Sequence, residues 1–158
     1  MFRFPFPLLL LIPAFATAAP CKDGSKPAAE SPVKVTLVVI LASKTDKAIN
    51  PKLATLAEEV QKRNREFTGF RIGATFDKSI PVGASHSFEL PEEQKAKITA
   101  AAGKDKDGRI ELTVNLPGLD DVTYTCVCDK FFPIVTPYKL KTGETVLVAI
   151  LAKPCTGK

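Results

Sequence analysis

The feature that most constrains the fold is a series of short segments in which apolar and polar residues alternate. In the clearest of them every second residue is apolar: Ile110, Leu112, Val114 and Leu116. Alternation with a period of two is typical of a β-strand that buries one face. The pattern recurs in other segments: His86, Phe88 and Leu90; Ala96, Ile98 and Ala100; Val122, Tyr124, Cys126 and Cys128. Gly, Pro and Asp separate the segments, and Thr142-Gly143 predicts a tight hairpin between the last two, PYKLK and ETVLVAIL. This half of the chain therefore predicts an antiparallel meander, sandwich or small barrel.

The first half of the mature chain has a different pattern. Residues 33–42 (VKVTLVVILA) are apolar on one face at the start and on both faces at the end, which predicts a central strand buried on two sides in its second half. Asn50 as the N-cap and Pro51 at the first helical position predict the start of a helix. Apolar residues then recur at helical spacing: Leu53, Leu56, Ala57, Val60 and Phe67.

A second strand is predicted after Thr68-Gly69, where the alternating apolar residues are Phe70, Ile72, Ala74 and Phe76. The order strand, helix, strand suggests a βαβ or split βαβ unit. The predicted fold class is α+β, with one helix packed on an early strand pair (βαβ-like) followed by a larger antiparallel β meander or sandwich. A length of 158 residues suits one such domain over residues 33–158, with two lobes, 33–80 and 81–158, as the alternative.

The N-terminal residues are typical of an export signal. Arg3 supplies the positive start, residues 8–12 the apolar stretch, and Ala16-Thr17-Ala18 a small-residue cleavage site. We therefore predict a signal peptide over residues 1–18, a flexible lead-in over 19–32, and a periplasmic or secreted mature protein. The apolar stretch is shorter than the roughly 20 residues of a membrane-spanning helix, so no stable membrane insertion is expected.

Export determines how the four cysteines are interpreted, because an even number outside the cytosol usually indicates disulfides. Cys126 and Cys128 stand two apart in one predicted strand, where parallel side chains are poorly placed to bond to each other. The sequence therefore predicts that Cys21 and Cys155 bridge separately to this pair. Cys126 with Cys21 and Cys128 with Cys155 is the favoured pairing, and the swapped pairing stays open.

Metal or cofactor chemistry is not expected from the sequence. KDKDGRIE has Asp105, Asp107 and Gly108 at positions of a calcium loop, but Gly103 and Val114 stand where its first and last ligands would be. A polar turn is the favoured interpretation, and we predict neither a metal nor a cofactor.

Acid–base or nucleophilic catalysis is equally unsupported by the sequence. His86 lies between Ser85 and Ser87, and neighbours on a strand point to opposite faces, so a rim residue is expected. The adjacent carboxylates Glu92-Glu93 and Asp120-Asp121 lie in turn-like segments and are expected to be solvated.

The sequence therefore favours a non-enzymatic, disulfide-stabilised module of the bacterial-type cell envelope or extracellular space. Its expected partner is another envelope or extracellular protein or a surface glycan, and not nucleic acid, since the net charge of +5 is mild and its basic residues are not interleaved with aromatics. Phe131 and Phe132 are the candidate contact surface, because an exposed ring in this pair would anchor a partner. The alternative is a periplasmic thiol–disulfide oxidoreductase that uses Cys126 and Cys128.

One short segment resembles a known family. GETVLVAI, residues 143–150, is similar to the glycine-turn hairpins that close modules of outer-membrane secretins. The resemblance covers this hairpin only, and it implies an envelope setting.

Overall fold

Eight strands and one helix make up the described part of the chain. The computed structural model describes residues 32–103, 109–127 and 129–153. The strands are β1 (Val33–Ser43), β2 (Gly69–Ile80), β3 (Ser85–Glu89), β4 (Lys95–Ala102), β5 (Ile110–Asn115), β6 (Val122–Thr125), β7 (Phe132–Lys139) and β8 (Thr145–Lys153). The helix begins with a 3₁₀ turn, Pro51–Leu53, and continues as α1, Ala54–Arg63. Two four-stranded antiparallel sheets result, in the orders β2-β1-β8-β7 and β3-β4-β5-β6, which confirms the predicted α+β class.

Strand β1 is buried on both faces, as its sequence predicts. Val35, Leu37 and Val39 belong to the core between the two sheets, whereas Val38 and Ile40 belong to a second core beneath the helix. The other sheet covers one face of β1 and α1 covers the opposite face. Along its two edges β1 pairs with β2 and β8. Each large apolar side chain buried this way contributes about 1.5–3 kcal/mol.

The helix begins where its capping residues predict. The Oδ1 atom of Asn50 accepts a hydrogen bond of 3.0 Å from the backbone N–H of Lys52, and Pro51 follows at the first position. Leu53, Ala57 and Val60 are buried against the outer face of the β1-containing sheet. The amphipathic pattern is therefore confirmed as the packing face of the helix.

Strand β2 departs from the sequence prediction in one respect. A β-bulge at Gly73 interrupts the pairing, because Val39 pairs with Ala74 and Ile40 pairs with Ile72. Phe70 and Ile72 consequently lie in the core under the helix, while Ala74 and Phe76 pack on the core between the sheets. An unbroken alternation would have placed all four on one face.

The connection between β1 and β2 also differs from a βαβ unit. The two strands are direct neighbours and run antiparallel, whereas the strands of a βαβ unit run parallel. The helix is therefore an insertion in an antiparallel pair.

The C-terminal hairpin forms as the sequence predicts. Gly143 adopts a positive φ of 87° in the turn between β7 and β8, a conformation that glycine adopts without steric cost. The backbone N–H of Gly143 donates to the carbonyl of Leu140 at 2.8 Å and closes the turn. Strand β8 then pairs with β1, which places the last described strand beside the first in the centre of its sheet.

Candidate functional site

Each sheet has an edge strand on either side of the sandwich. On one side a short turn joins the edge strands β2 and β3, and on the other side the edge strands are β6 and β7. We call the gap between residues 122–127 and residues 131–135 the seam. Glu59 of α1 lines it from above.

Phe132 lies in the seam and is partly exposed. Its pairing with Ile150 directs the side chain between the sheets, where the ring stacks on Tyr124 of β6 with centroids 4.1 Å apart and an interplanar angle of 16°. The side chain nevertheless remains 39% exposed. The stack therefore holds an apolar ring in a fixed position at the surface.

Val127 adds a second exposed apolar side chain to the seam. It is 59% exposed and follows the end of β6. Among the described residues only one other large apolar side chain is classed as exposed, Ile49 at 39%, which precedes the helix. Two of the three exposed large apolar residues therefore lie in the seam.

Phe131 lies on the other face of the sheet. Its ring is half-buried and packs on the core beneath the helix, while Phe132 faces the core between the sheets. The structure therefore separates the adjacent rings that the sequence singled out. Only Phe132 has the exposure expected of a contact anchor.

Two clefts follow the seam on either side of Phe132. The first has a volume of about 240 Å³. Its walls are Glu59, Tyr124, Thr125, Cys126, Val127, Lys130, Phe131, Phe132, Ile150 and Ala152. The second has a volume of about 350 Å³ and is lined by Glu59, Val60, Arg63, Asn64, Val122, Phe132, Pro133, Ile134 and Val135. The two clefts give the seam room for side chains of a bound segment.

Tyr124 carries a polar group that the sequence analysis missed. Its hydroxyl is buried and has no hydrogen-bond partner among the described residues. Burial raises the pKa of this phenol above its ordinary value, with a further contribution from Cys126. The sequence shows that Tyr124 occupies an inward position of an amphipathic strand. It does not show whether the hydroxyl has a hydrogen-bond partner, because this depends on residues that are distant in sequence.

Cys126 is the one cysteine that lies within the described residues. It follows β6, is 2% exposed and packs in the core between the sheets. Its backbone N–H donates to the carbonyl of Ile110 at 2.8 Å and so extends the pairing of β6 with β5. Cys21, Cys128 and Cys155 lie outside the described residues, as do the signal peptide and nearly all of the lead-in, so the disulfide pairing stays a prediction.

Among the described residues, the remaining sequence candidates lie apart from one another. His86 is half-buried, with its ring edge-on to Phe88 at 4.9 Å, while Ser85 and Ser87 occupy the opposite face of β3. Asp105, Asp107 and Gly108 of the calcium-loop-like segment lie outside the described residues. Within the described ranges no three His, Cys, Asp or Glu side chains come together to hold a metal ion.

Glu92 does more than the solvated role expected from the sequence. Its carboxylate accepts hydrogen bonds from the Tyr138 hydroxyl at 2.7 Å and from the backbone N–H of Lys141 at 2.8 Å. These contacts join the β3–β4 turn to the β7–β8 hairpin and lower the pKa of Glu92 while raising that of Tyr138. Among the other carboxylates singled out, Asp121 accepts a hydrogen bond of 2.8 Å from the Asn115 side chain.

Comparison with known proteins provides no relative for this chain. No protein-family model matches it, and neither do the curated proteins or the solved structures. Among the described residues no helix is both long enough and apolar enough to cross a membrane.

Proposed function

We propose that the protein is an exported, disulfide-stabilised, non-enzymatic binding module that holds an apolar segment of another envelope or extracellular protein in the seam. The observation that carries the proposal is the concentration of exposed apolar surface there. Phe132 and Val127 are 39% and 59% exposed and border the same cleft of about 240 Å³.

The physical basis is the cost of leaving such side chains in water. Fully burying a phenylalanine side chain contributes about 1.5–3 kcal/mol, of which the exposed 39% of Phe132 supplies a part. Aromatic anchors commonly dominate the energy of an interface. Because Phe132 is stacked on Tyr124, a partner that covers it restricts little further side-chain motion. The ring is therefore suited to anchor a contact.

A protein partner fits the seam better than a surface glycan. Sugars are recognised through an aromatic ring together with several polar groups. The seam has the ring of Phe132, but its first cleft is otherwise walled largely by apolar side chains such as Val127, Ile150 and Ala152. Its charged groups, Glu59 and Lys130, are of opposite sign. A mainly apolar segment with a few polar groups would complement this surface.

The alternative activity, thiol–disulfide exchange, is disfavoured by the position of Cys126. A nucleophilic thiolate must reach the sulfur of its substrate, but Cys126 is 2% exposed within the core. Reaction of the native protein with a thiol reagent distinguishes the two functions. Rapid modification of Cys126 before unfolding would favour the oxidoreductase.

Site-specific photo-crosslinking in cells that export the protein tests the proposal. A benzophenone amino acid replaces Val127 or Phe132 in two variants, and Ile49 in a third. Ile49 is the matched control because it has the same 39% exposure as Phe132 but lies outside the seam. We expect a discrete adduct with one other protein from positions 127 and 132, and none from position 49. The same adducts from all three positions, or none from the seam, would contradict the proposal.

A further inference from the structure

The backbone of β6 has an open edge along the seam. In an antiparallel ladder, residues alternate between those that exchange hydrogen bonds with the neighbouring strand and those that point away from it. The backbone N–H of Cys126 donates to the carbonyl of Ile110 in β5. The backbone N–H and C=O of Tyr124, two residues earlier, therefore also point toward β5. Thr123 and Thr125 therefore direct their backbone N–H and C=O groups away from β5.

A second contact supports this assignment. The hydroxyls of Thr113 and Thr123 lie 2.9 Å apart across β5 and β6. Opposite residues that do not exchange backbone bonds bring their side chains closer together, which is the arrangement observed for this pair. Within the described ranges no backbone hydrogen bond satisfies the outward groups of Thr123 or Thr125.

The facing edge strand, β7, cannot offer the same edge. Pro133 lies opposite Ala149 and has no N–H, so its backbone faces the open edge. The backbone N–H and C=O groups of Phe132 and Ile134 point toward β8. Pro137 removes a second donor from the same strand. Prolines on an edge strand block the addition of another strand, and β6 has none.

We propose that the partner segment is extended and adds to the seam as a strand paired with β6, through the backbone groups of Thr123 and Thr125. This inference rests on the proposed function and specifies how the seam binds its partner. Alternate side chains of the added strand then point into the seam, where Phe132 and Val127 meet the apolar ones. The outward N–H and C=O groups of β6 match the spacing of donors and acceptors along the backbone of an added strand.

One extended segment suits the seam better than a second copy of this chain. The clefts of about 240 and 350 Å³ accommodate side chains from a single strand. Pairing β6 with β6 of another copy would bring a whole sandwich against the edge, and the four residues of β6 offer little area for a stable dimer. We therefore commit to a segment of a different protein.

A proline placed at position 125 tests the proposal. Thr125→Pro removes an outward N–H while leaving the β5-facing residues intact, and Thr125→Val changes the side chain but keeps the N–H. Ser87→Pro is the matched control on the other edge of the same sheet. The carbonyl of Ala84 accepts a hydrogen bond from the backbone N–H of Ala100 in β4. Ser87 is three residues further along, so its backbone N–H and C=O point away from β4.

The readout is the adduct formed by the photoreactive residue at position 127, in variants whose thermal melts show that they remain folded. We expect the adduct yield of Thr125→Pro to be about tenfold below that of Thr125→Val, the loss expected for one backbone hydrogen bond and its unsatisfied partner, while Ser87→Pro leaves the wild-type yield unchanged. Equal yields from Thr125→Pro and Thr125→Val would overturn the strand-addition proposal.

The experiment separates failure of this inference from failure of the proposed function. An adduct that Phe132→Ser abolishes but Thr125→Pro does not would leave the seam as a binding site and reject the added strand. An adduct insensitive to Phe132→Ser would reject both. An adduct of twice the mass of the chain would identify a second copy and overturn the choice of a different protein.

Discussion

At the scale of single residues, the β3–β4 turn contains consecutive non-glycine residues with positive φ. Glu92 has a φ of 59° and Glu93 a φ of 62°. This left-handed conformation costs an ordinary residue about 1–2 kcal/mol. Glu92 has a compensating role, because its carboxylate accepts hydrogen bonds from Tyr138 and Lys141 on the other hairpin.

Glycine substitutions at the two positions should therefore have opposite effects. Glu93→Gly removes the strain of the left-handed conformation, which stabilises the folded state. Glycine also gives the unfolded chain more freedom, which lowers the free energy of unfolding by about 0.5–1 kcal/mol. The net effect should be a stabilisation of up to about 1 kcal/mol. Glu92→Gly relieves the same strain but removes two hydrogen bonds, and should lower the melting temperature. Thermal melts of both variants at neutral pH make the comparison. A lower melting temperature for Glu93→Gly than for Glu92→Gly would refute this account of the turn.

The pairing of Glu144 with Arg71 contributes to stability in a pH-dependent way. Glu144 accepts two hydrogen bonds of 2.6 Å from the Arg71 guanidinium, and this pairing lowers its pKa from the ordinary value of 4.5. A carboxyl whose folded pKa is depressed stabilises the fold above its unfolded pKa, and that stability is lost as the pH falls through the folded pKa.

Glu144→Gln should consequently be less stable than the wild type at neutral pH and should lose less stability below pH 4.5. Urea midpoints measured from neutral to acidic pH provide the test. Glu89→Gln serves as the control, because Glu89 is an exposed carboxylate at the end of β3. The pairing would be unimportant if Glu144→Gln and Glu89→Gln gave the same pH dependence.

At the scale of elements, the features that could be predicted from the sequence are those that depend on neighbouring residues. Asn50 and Pro51 specify the start of the helix because capping involves neighbouring backbone groups. The bulge at Gly73 was not predictable in the same way, because the residues from Phe70 to Phe76 alternate without a visible break. Only the pairing with β1 shows that one residue is skipped and that the buried face changes.

The Asn50 cap stabilises the start of the helix. Asn50→Ala should destabilise the protein by about 1 kcal/mol, because the Lys52 N–H loses its acceptor at the end of the helix that covers the second core. Asn50→Asp should retain most of the stability, since a carboxylate also accepts at this position. Chemical denaturation of both variants checks the ordering, which equal losses would contradict.

At the scale of the whole molecule, the sequence predicted the fold class but not which strands become edges. The alternating segments indicated strands of an antiparallel meander, sandwich or barrel. Strand β1 was correctly expected to be central in its sheet. The seam depends on which strands remain unpaired, and this follows from the pairing of β8 with β1, strands that are distant in sequence. Phe131 and Phe132 could be identified as a pair, but their separation to opposite faces required the register of β7.

The yield of the photo-crosslink at position 127 reports whether the seam is the binding surface. With the photoreactive residue at position 127, the yield of partner adduct is compared between Phe132→Ser and Ile49→Ser, which remove equally exposed apolar side chains inside and outside the seam. Truncation of an anchor side chain costs about 1.4 kcal/mol or more, so we expect the Phe132→Ser yield to be lower by about tenfold or more. Equal yields from the two variants would show that the seam is not the binding surface.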